Sequence, residues 1–199
     1  AFVRGMVGDE MDIQNSVIFS HAKSMGGIEQ IQAEVTLAAQ NITIAGSGNV
    51  PILNDISFEV RKGEILGIAG VAGNGQRDLA EAILGIASLT SGKVVLTQQD
   101  ITTHPTNYRL EKGIAYIPED RLHDGFLPKA SVAHNLILGF HRKEPYASKG
   151  FIDWKKVYEV SEDLITTYNI KTSGPGDVGG NLSGGNIQRV MIARAFSKP

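Results

Sequence analysis

The sequence predicts an α/β chain that opens with an antiparallel β layer, continues into a strand, glycine-rich loop and helix, and ends in a helical third. Three observations predict it. Apolar residues alternate between Val35 and Val60. A continuous apolar run, Ile65-Leu66-Gly67-Ile68-Ala69, leads straight into the glycine-rich turn Gly70–Arg77. Beyond Pro128 the apolar spacing becomes helical. Alternation marks strands with one buried face, and spacings of three and four mark helices. An unbroken apolar run is expected of a strand buried on both faces of a parallel sheet.

The elements follow in order. Residues 1–34 are broken up by Gly5, Gly8, Gly26 and Gly27 and read as a linker or the remnant of a preceding domain, with a short strand at Ser16–Phe19 as the one candidate element. Val35 and Leu37, then Ile42 and Ile44, then Ile56, Phe58 and Val60 give the antiparallel strands. Arg61-Lys62-Gly63-Glu64 is a turn, Ile65–Ala69 a strand, and Gln76–Leu84 a helix. Further strands are expected at Lys93–Leu96 and Ile114–Ile117. Helices are expected at Ser131–Phe140 with Ser131 as N-cap, at Trp154–Tyr168 and at Ser183–Ser197. The organisation is therefore 1–34 as linker, 35–127 as β layer plus loop-bearing core, and 128–199 as helical part.

Composition bounds the function. Among 199 residues 42% are hydrophobic, which is ample for a core, and the formal charge of -2 gives no basic field for nucleic acid. No apolar run reaches the roughly 18 residues of a membrane-spanning helix. The longest, Ala130–Phe140, is interrupted by His134 and Asn135. With no cysteine, disulfide frameworks and thiolate metal sites are excluded. A soluble, cytoplasmic chain is expected, with any membrane link running through a partner.

Gly70-Val71-Ala72-Gly73-Asn74-Gly75-Gln76-Arg77 matches the G-x-x-x-x-G of a phosphate loop, with Gly73 adding a third permissive position. Such a loop turns backbone N–H groups toward phosphate oxygens at a helix N-terminus, where the dipole also favours an anion. An intact phosphate loop continues with Lys, which reaches the β and γ phosphates, and Ser or Thr, which holds Mg²⁺. Gln76 and Arg77 occupy those positions. One cation is kept but moved by one residue, about 100° around the helix, so Arg77 does not replace the lysine. Taken alone, the loop reads equally as a glycine-rich turn with no ligand.

A second motif, Asn181-Leu182-Ser183-Gly184-Gly185-Asn186-Ile187-Gln188-Arg189, opens the last helix. Ser183 supplies a hydroxyl, Gly184 and Gly185 let another surface approach the backbone, and the helix end presents free N–H donors. With no strand before it, this end is suited to a nucleotide held by another domain. The plainer alternative is an N-capped surface helix.

Leu-Ser-Gly-Gly-Asn, about 110 residues after a phosphate loop, resembles the signature sequence of ATP-binding-cassette (ABC) ATPases, over roughly residues 35 to 199. The finer resemblance is to the second, degenerate cassette of double-cassette ATPases serving simple-sugar and nucleoside importers. It is carried by Gly70–Gln76, by Tyr116-Ile117-Pro118-Glu119-Asp120-Arg121, and by Asn186 within the signature; Met6-Val7-Gly8 resembles the tail of a first cassette. The resemblance implies an α/β phosphate-loop NTPase of the ABC type and an ATP-binding subunit in which Leu182–Asn186 and Gln188 complete the partner cassette's ATP site. Gly70, Gly73, Asn74, Gly75, Gln76 and Arg77 would form the chain's own weak or silent nucleotide site, with Mg²⁺ held elsewhere in the full-length protein. The implied partners are a first cassette, transmembrane permease subunits and, indirectly, a solute receptor, at the inner face of the membrane.

Glu119 stands where most ABC ATPases carry the Q-loop glutamine, and no aromatic lies near Ile44–Asn49 to stack on adenine. The Mg-binding aspartate, catalytic glutamate and switch histidine are expected after Pro199, so the chain reads as a fragment with no hydrolysis of its own and no catalytic residue. A strand following Pro199 is expected beside Ile65–Ala69, with a second copy or the segment around Val17–Phe19 as substitutes. A soluble ABC ATPase of translation or DNA repair, or a nucleotide-binding module without hydrolysis, are the alternatives. The histidines His21, His104, His123, His134 and His141 form no metal-ligating pattern. Glu119-Asp120-Arg121 reads as a turn salt bridge or as acid–base chemistry, and Trp154, Tyr158 and Tyr116 as core.

Overall fold

The computed structural model describes residues 33–48 and 50–197. The candidate strand Ser16–Phe19, Met6–Gly8 and nearly all of the 1–34 linker lie outside the described residues. The chain divides into two compact units. One runs to Ile83 and takes in Ala87–Thr103; the other comprises Leu84–Ile86 and the chain from His104 onward.

The first unit contains a four-stranded sheet in the order β2-β1-β3-β4, from β1 (Val35–Ile44), β2 (Leu53–Arg61), β3 (Ser91–Leu96) and β4 (Gln99–Asp100), with every pair antiparallel. The expected alternation is present in β2, where Ile56, Phe58 and Val60 are half-buried between exposed neighbours. In β1 the apolar phase slips between Leu37 and Ile42, and the register shows the cause. Ala39 pairs with Phe58 and Ile42 with Ile56, so one extra residue is absorbed in β1. Asn41 takes a positive φ of 51° in this bulge, donates from Nδ2 to Asp55 Oδ1 at 2.7 Å, and has its own N–H bonded to Ser57 Oγ. The bulge returns Ile42 and Ile44 to the buried face.

The turn at 61–64 is closed by the Glu64 amide on Arg61 O and by the Arg61 amide on Glu64 Oε2. Helix α1 (Gln76–Leu84) has the expected bounds and buries Leu79 and Ala82.

Two expected strands do not form. Ile65–Ala69 and Ile114–Ile117 run without ladder partners, with Ile65 97% and Ile68 54% exposed. A parallel strand is held by a ladder with its neighbours, and neither segment pairs with any of the described strands; the Ile114 N–H donates instead to Arg109 O at 3.2 Å. Tyr116 consequently sits outside any strand and only half-buried. The apolar composition of both segments was legible; their pairing was not.

The second unit carries α2 (Thr106–Glu111), a π-helical turn at Arg121–Gly125, α3 (Val132–Leu136), a short β5–β6 hairpin (Ala147–Ser148, Phe151–Ile152), α4 (Trp154–Thr167), a 3₁₀ turn at Gly179–Asn181 and α5 (Gly184–Phe196). Phe126, Val132, Leu136, Ile170, Leu182, Ile187, Val190 and Met191 form one apolar cluster; Ala133, Ile137, Phe140, Tyr146 and Val157 form another. Among the described residues no helix is long and apolar enough to cross a membrane.

Ser131 caps α3 as expected, its Oγ accepting from the His134 amide, but the helix ends at Leu136 instead of Phe140. Asn135, which interrupts the apolar run in the sequence, explains part of this segment. Its buried side chain accepts from the Leu127 amide at 2.7 Å and donates to Leu127 O and Ser131 O, each at 3.0 Å, tying the start of the helix to the loop before it. Trp154 and Tyr158, expected in the core, are each 41% exposed. The buried stripe of α4 runs through Val157 and Ser161 instead, and Trp154 packs its ring on His134 at 4.6 Å.

Asn135→Leu adds apolar volume yet leaves the Leu127 amide without its partner, while Leu127 O keeps the Ala130 amide. At about 1–3 kcal/mol for one unmet backbone group, it is expected to lower the unfolding free energy by that amount. A urea titration of the variant against the parent chain checks this, and an unchanged midpoint would count against the bonding assigned to Asn135.

Candidate functional site

The glycine-rich turn is placed by β2 and α1. Gly75 has a φ of 91° and is buried so closely that a Cβ there would lie 2.8 Å from Leu53 Cδ2 and 3.1 Å from Ile52 O. Only glycine meets both conditions. Gly73, also left-handed at 88°, is exposed, and the Asn74 amide bonds to Val71 O at 3.2 Å.

The two residues that depart from an intact phosphate loop have definite positions. Gln76 folds back across the turn, its Nε2 donating to Val71 O at 3.1 Å. A Cβ on Gly70 would lie 2.1 Å from that nitrogen, so the amide spans the loop from one end to the other. Arg77 points away into an i,i+4 pair with Glu81, Nε to Oε1 at 2.7 Å, with its side chain 65% exposed. Positions 76 and 77 thus offer a neutral amide and a guanidinium committed elsewhere. The side chains do not fit Mg²⁺, which requires hard oxygen donors and repels a cation.

The second motif is built around Asn186. Lys171 donates its backbone N–H to Asn186 Oδ1 at 2.9 Å, and Asn186 Nδ2 donates to Ser183 Oγ at 3.0 Å. A backbone N–H can only donate, so the amide oxygen must face Lys171 and the amide nitrogen must face Ser183. The serine oxygen is then an acceptor for Asn186, and its own proton is available to a group outside. Ser183 stands at the N-cap of α5 with extended backbone and makes no side-chain cap bond. Ser183, Gly184 and Gly185 are exposed, and ideal Cβ atoms on the two glycines would meet nothing within 4 Å. Leu182, by contrast, is buried and anchors the motif to the core. The result is an open helix end with a hydroxyl donor beside it, suited to an anion.

Sequence reasoning did not find what prepares this end. Asp177 holds the preceding turn: Oδ2 accepts from Thr172 Oγ1 at 3.0 Å and the Ser173 amide at 3.2 Å, and Oδ1 accepts from Asn181 Nδ2 at 3.0 Å. The Asn181 amide, then the Ser173 amide and the Thr172 hydroxyl, hold its carboxyl below the ordinary value of 3.8. A Thr-Ser-Gly-Pro-Gly-Asp string was the available signal, since its residues favour hydrogen-bonded turns. The Tyr116–Arg121 string also resolves. Arg121 forms no salt bridge with its neighbours; it donates to Gln188 Oε1 at 3.0 Å. Asp120 instead pairs with His123 at 2.9 Å, and Glu119 is exposed.

A glycine loop opening a helix beyond an antiparallel β layer, together with a Leu-Ser-Gly-Gly helix end whose serine and glycines are exposed, defines an ATP-binding cassette of the α/β phosphate-loop class. The chain belongs to the ABC transporter family, whose model matches residues 53–199. It is 33% identical over 165 residues to the nucleoside import ATP-binding protein NupA of Lactococcus lactis, covering 83% of this chain and 33% of that protein. It is 35% identical over 166 residues to the guanosine import ATP-binding protein NupO of Bacillus subtilis, covering 83% and 32%. The ribose import ATP-binding protein RbsA of Caldanaerobacter subterraneus is 34% identical over 164 residues, covering 82% and 32%. The chain thus spans about a third of the length of the curated relatives it matches. Among solved structures, the ADP form of the ATP-binding cassette MJ1267 superposes with a TM-score of 0.63 at 26% identity, covering 82% of this chain and 65% of that one. The post-hydrolysis dimer of the cassette MJ0796 bound to ADP and Pi gives 0.64 at 18%, covering 81% and 69%.

The depressed Asp177 value sets a pH dependence. The ionised carboxylate contributes above pH 3.8, and its contribution is lost as pH falls through the lower folded value. The protection factor of the Ser173 amide, followed by NMR exchange, is expected to collapse in that acid range. In Asp177→Asn it should be low and flat throughout; a retained acid step there would contradict the assignment.

Proposed function

We propose that this chain is the second cassette of an ATP-binding subunit serving an importer of simple sugars or nucleosides. In this reading Ser183–Asn186, with Leu182 behind and Gln188 beyond, closes over ATP held by a first cassette. The chain's own loop, Gly70, Gly73, Asn74, Gly75, Gln76 and Arg77, is the weak or silent site. Residues 1–34 link the cassettes, 35–127 form the nucleotide-binding core and 128–199 the helical part. Partners are the first cassette, the transmembrane permease subunits and, through them, a solute receptor, with the protein peripheral on the inner membrane face.

One observation carries the reading: on an exposed helix end Ser183 Oγ accepts from Asn186 Nδ2, which leaves its proton for an outside group, while Gln76 and Arg77 are turned onto Val71 O and Glu81. The magnitudes favour the asymmetry. A unit charge pair about 4 Å apart at a protein surface is worth about 4 kcal/mol. A helix N-terminus alone contributes about 0.3–1 kcal/mol, rising to about 2 in favourable geometry. Losing the lysine therefore costs the loop more than the helix dipole returns. The names of the relatives, import ATP-binding proteins for nucleosides and sugars, support the substrate class.

Bound ATP supplies the transferable γ-phosphoryl group, and residues of the opposite cassette hold Mg²⁺. From this chain, the Ser183 O–H and the first amides of α5 donate to charge developing on the γ-phosphate oxygens. Glu119 lies two residues from Arg121 and faces solvent, available to a metal or a permease. Residues 1–199 alone hold neither the lysine nor the metal-binding hydroxyl of an active loop and are proposed not to turn over ATP.

Mg-dependent phosphate release by the full-length protein tests the reading, with residues 1–199 alone as the expected zero baseline. Ser183→Arg is expected to remove most turnover, at least about 10²-fold by analogy with losing one oxyanion donor. Gln76→Ala is expected to leave turnover within about twofold. Equal damage from the two changes, or turnover by residues 1–199 that survives Gly75→Arg, would overturn it.

A further inference from the structure

Helix α5 is tied to the segment Pro118–Phe126 at three places, two in its buried C-terminal half and one near its exposed start. The geometry points to Arg121 as a positioning residue: we propose that its bond to Gln188 fixes the first turns of α5 and hence the reach of Ser183. This inference rests on the reading of the signature given above.

The buried ties are structural. Met191 Cε lies so close to Gly125 that a Cβ there would approach to 2.3 Å, with Pro118 Cγ at 2.7 Å. Arg194 donates to Gly125 O at 2.8 Å and more weakly to Asn135 O at 3.4 Å. Together with Val190 and Ala193 in the core, they hold the far half of the helix. They do not reach its start, where Gly184 and Gly185 are open to solvent.

The first turns are held from two sides. On one side Asn186 accepts from the Lys171 amide, and Arg189 donates to Asn169 O. On the other, Arg121 Nη1 donates to Gln188 Oε1 across 67 residues of sequence. Arg121 is itself well placed to hold, because its turn is closed around Asp120. Asp120 Oδ1 accepts from the His123 amide at 3.1 Å, its Oδ2 meets His123 Nδ1 at 2.9 Å, and the Asp124 amide bonds to Asp120 O at 3.0 Å. Leu182 and Ile187 anchor the helix start to the core, so a one-sided polar tether would leave its exposed face free only to tilt about them. A misplacement of about 1 Å at a catalytic donor can cost about 10²-fold in rate. A long planar guanidinium fixes direction as well as distance, which a lysine ammonium does not.

The test is ATP turnover by the full-length protein, with kcat and KM measured separately. Arg121→Gln is expected to lower kcat about tenfold and leave KM for ATP within about twofold, because the substrate is held by the opposite loop. Arg121→Lys should recover part of the loss. Gln188→Ala should match Arg121→Gln, and the double variant should be no worse than either. Ser183→Arg serves as control. If Ser183→Arg leaves turnover intact, the signature reading fails and this inference with it. If Ser183→Arg silences turnover while Arg121→Gln keeps the parent kcat, the positioning role alone is overturned. Losses that add in the double variant, or a rise in KM without a fall in kcat, would also overturn it. Should Arg121→Gln fail to fold, Gln188→Ala at its exposed position carries the same expectation.

Discussion

The single donor on the Lys171 backbone constrains everything at the signature end. Because that N–H can only donate, Asn186 has one orientation, and its amide nitrogen must serve Ser183. The serine oxygen then has its inward bond as an acceptor, and its proton is left for a ligand. Aspartate at 186 would accept from Lys171 equally well but would turn the serine proton inward and add a negative charge beside an anion site. Leucine would leave the Lys171 amide unpaired. The asparagine is therefore more than a variant spelling of the motif; it sets the direction in which the hydroxyl can act. The apolar cluster beneath, with Leu182 and Ile187 buried on either side of the exposed residues, keeps this arrangement at the surface.

The phosphate loop shows the opposite economy, with its polar groups turned inward. Gln76 uses its amide on Val71 O, and Arg77 uses its guanidinium on Glu81. The backbone keeps a tight turn, with Gly75 pressed on Leu53 and two left-handed glycines. In the proposed reading, what this loop offers a phosphate is the partial charge of backbone dipoles, several-fold smaller than a lysine's full charge. One motif thus leaves its serine and glycines open to solvent, and the other turns its polar side chains onto its own residues.

The sequence was most legible where a local rule decided the outcome. The antiparallel layer followed from alternation, α1 from the glycines before Gln76, α4 and α5 from spacing and caps, and both motifs from their residue types. It was least legible where pairing decided it. Ile65–Ala69 and Ile114–Ile117 have the composition of buried strands, but a strand exists only with a neighbour, and composition does not supply one. The β1 bulge at Asn41 was hidden because a single inserted residue shifts the phase without altering the apolar count. Trp154 and Tyr158 have core-like identities, yet the helix rotates Val157 inward in their place. At the signature, the motif's own residues were readable, but its supports at Lys171, Asp177 and Arg121 are set by contacts between distant segments.

Under the proposed function, Ser183 faces a nucleotide on another cassette and not this chain's own loop. Residues 1–199 contain no cysteine, so a Ser183→Cys change introduces a unique thiol in this region. The direct measurement pairs it, in the full-length protein, with a cysteine placed either in the first cassette's phosphate loop or at Asn74→Cys in this chain. The account predicts an ATP-dependent disulfide with the first cassette and none with position 74. A disulfide with position 74, or one with the first cassette that forms equally without ATP, would contradict it.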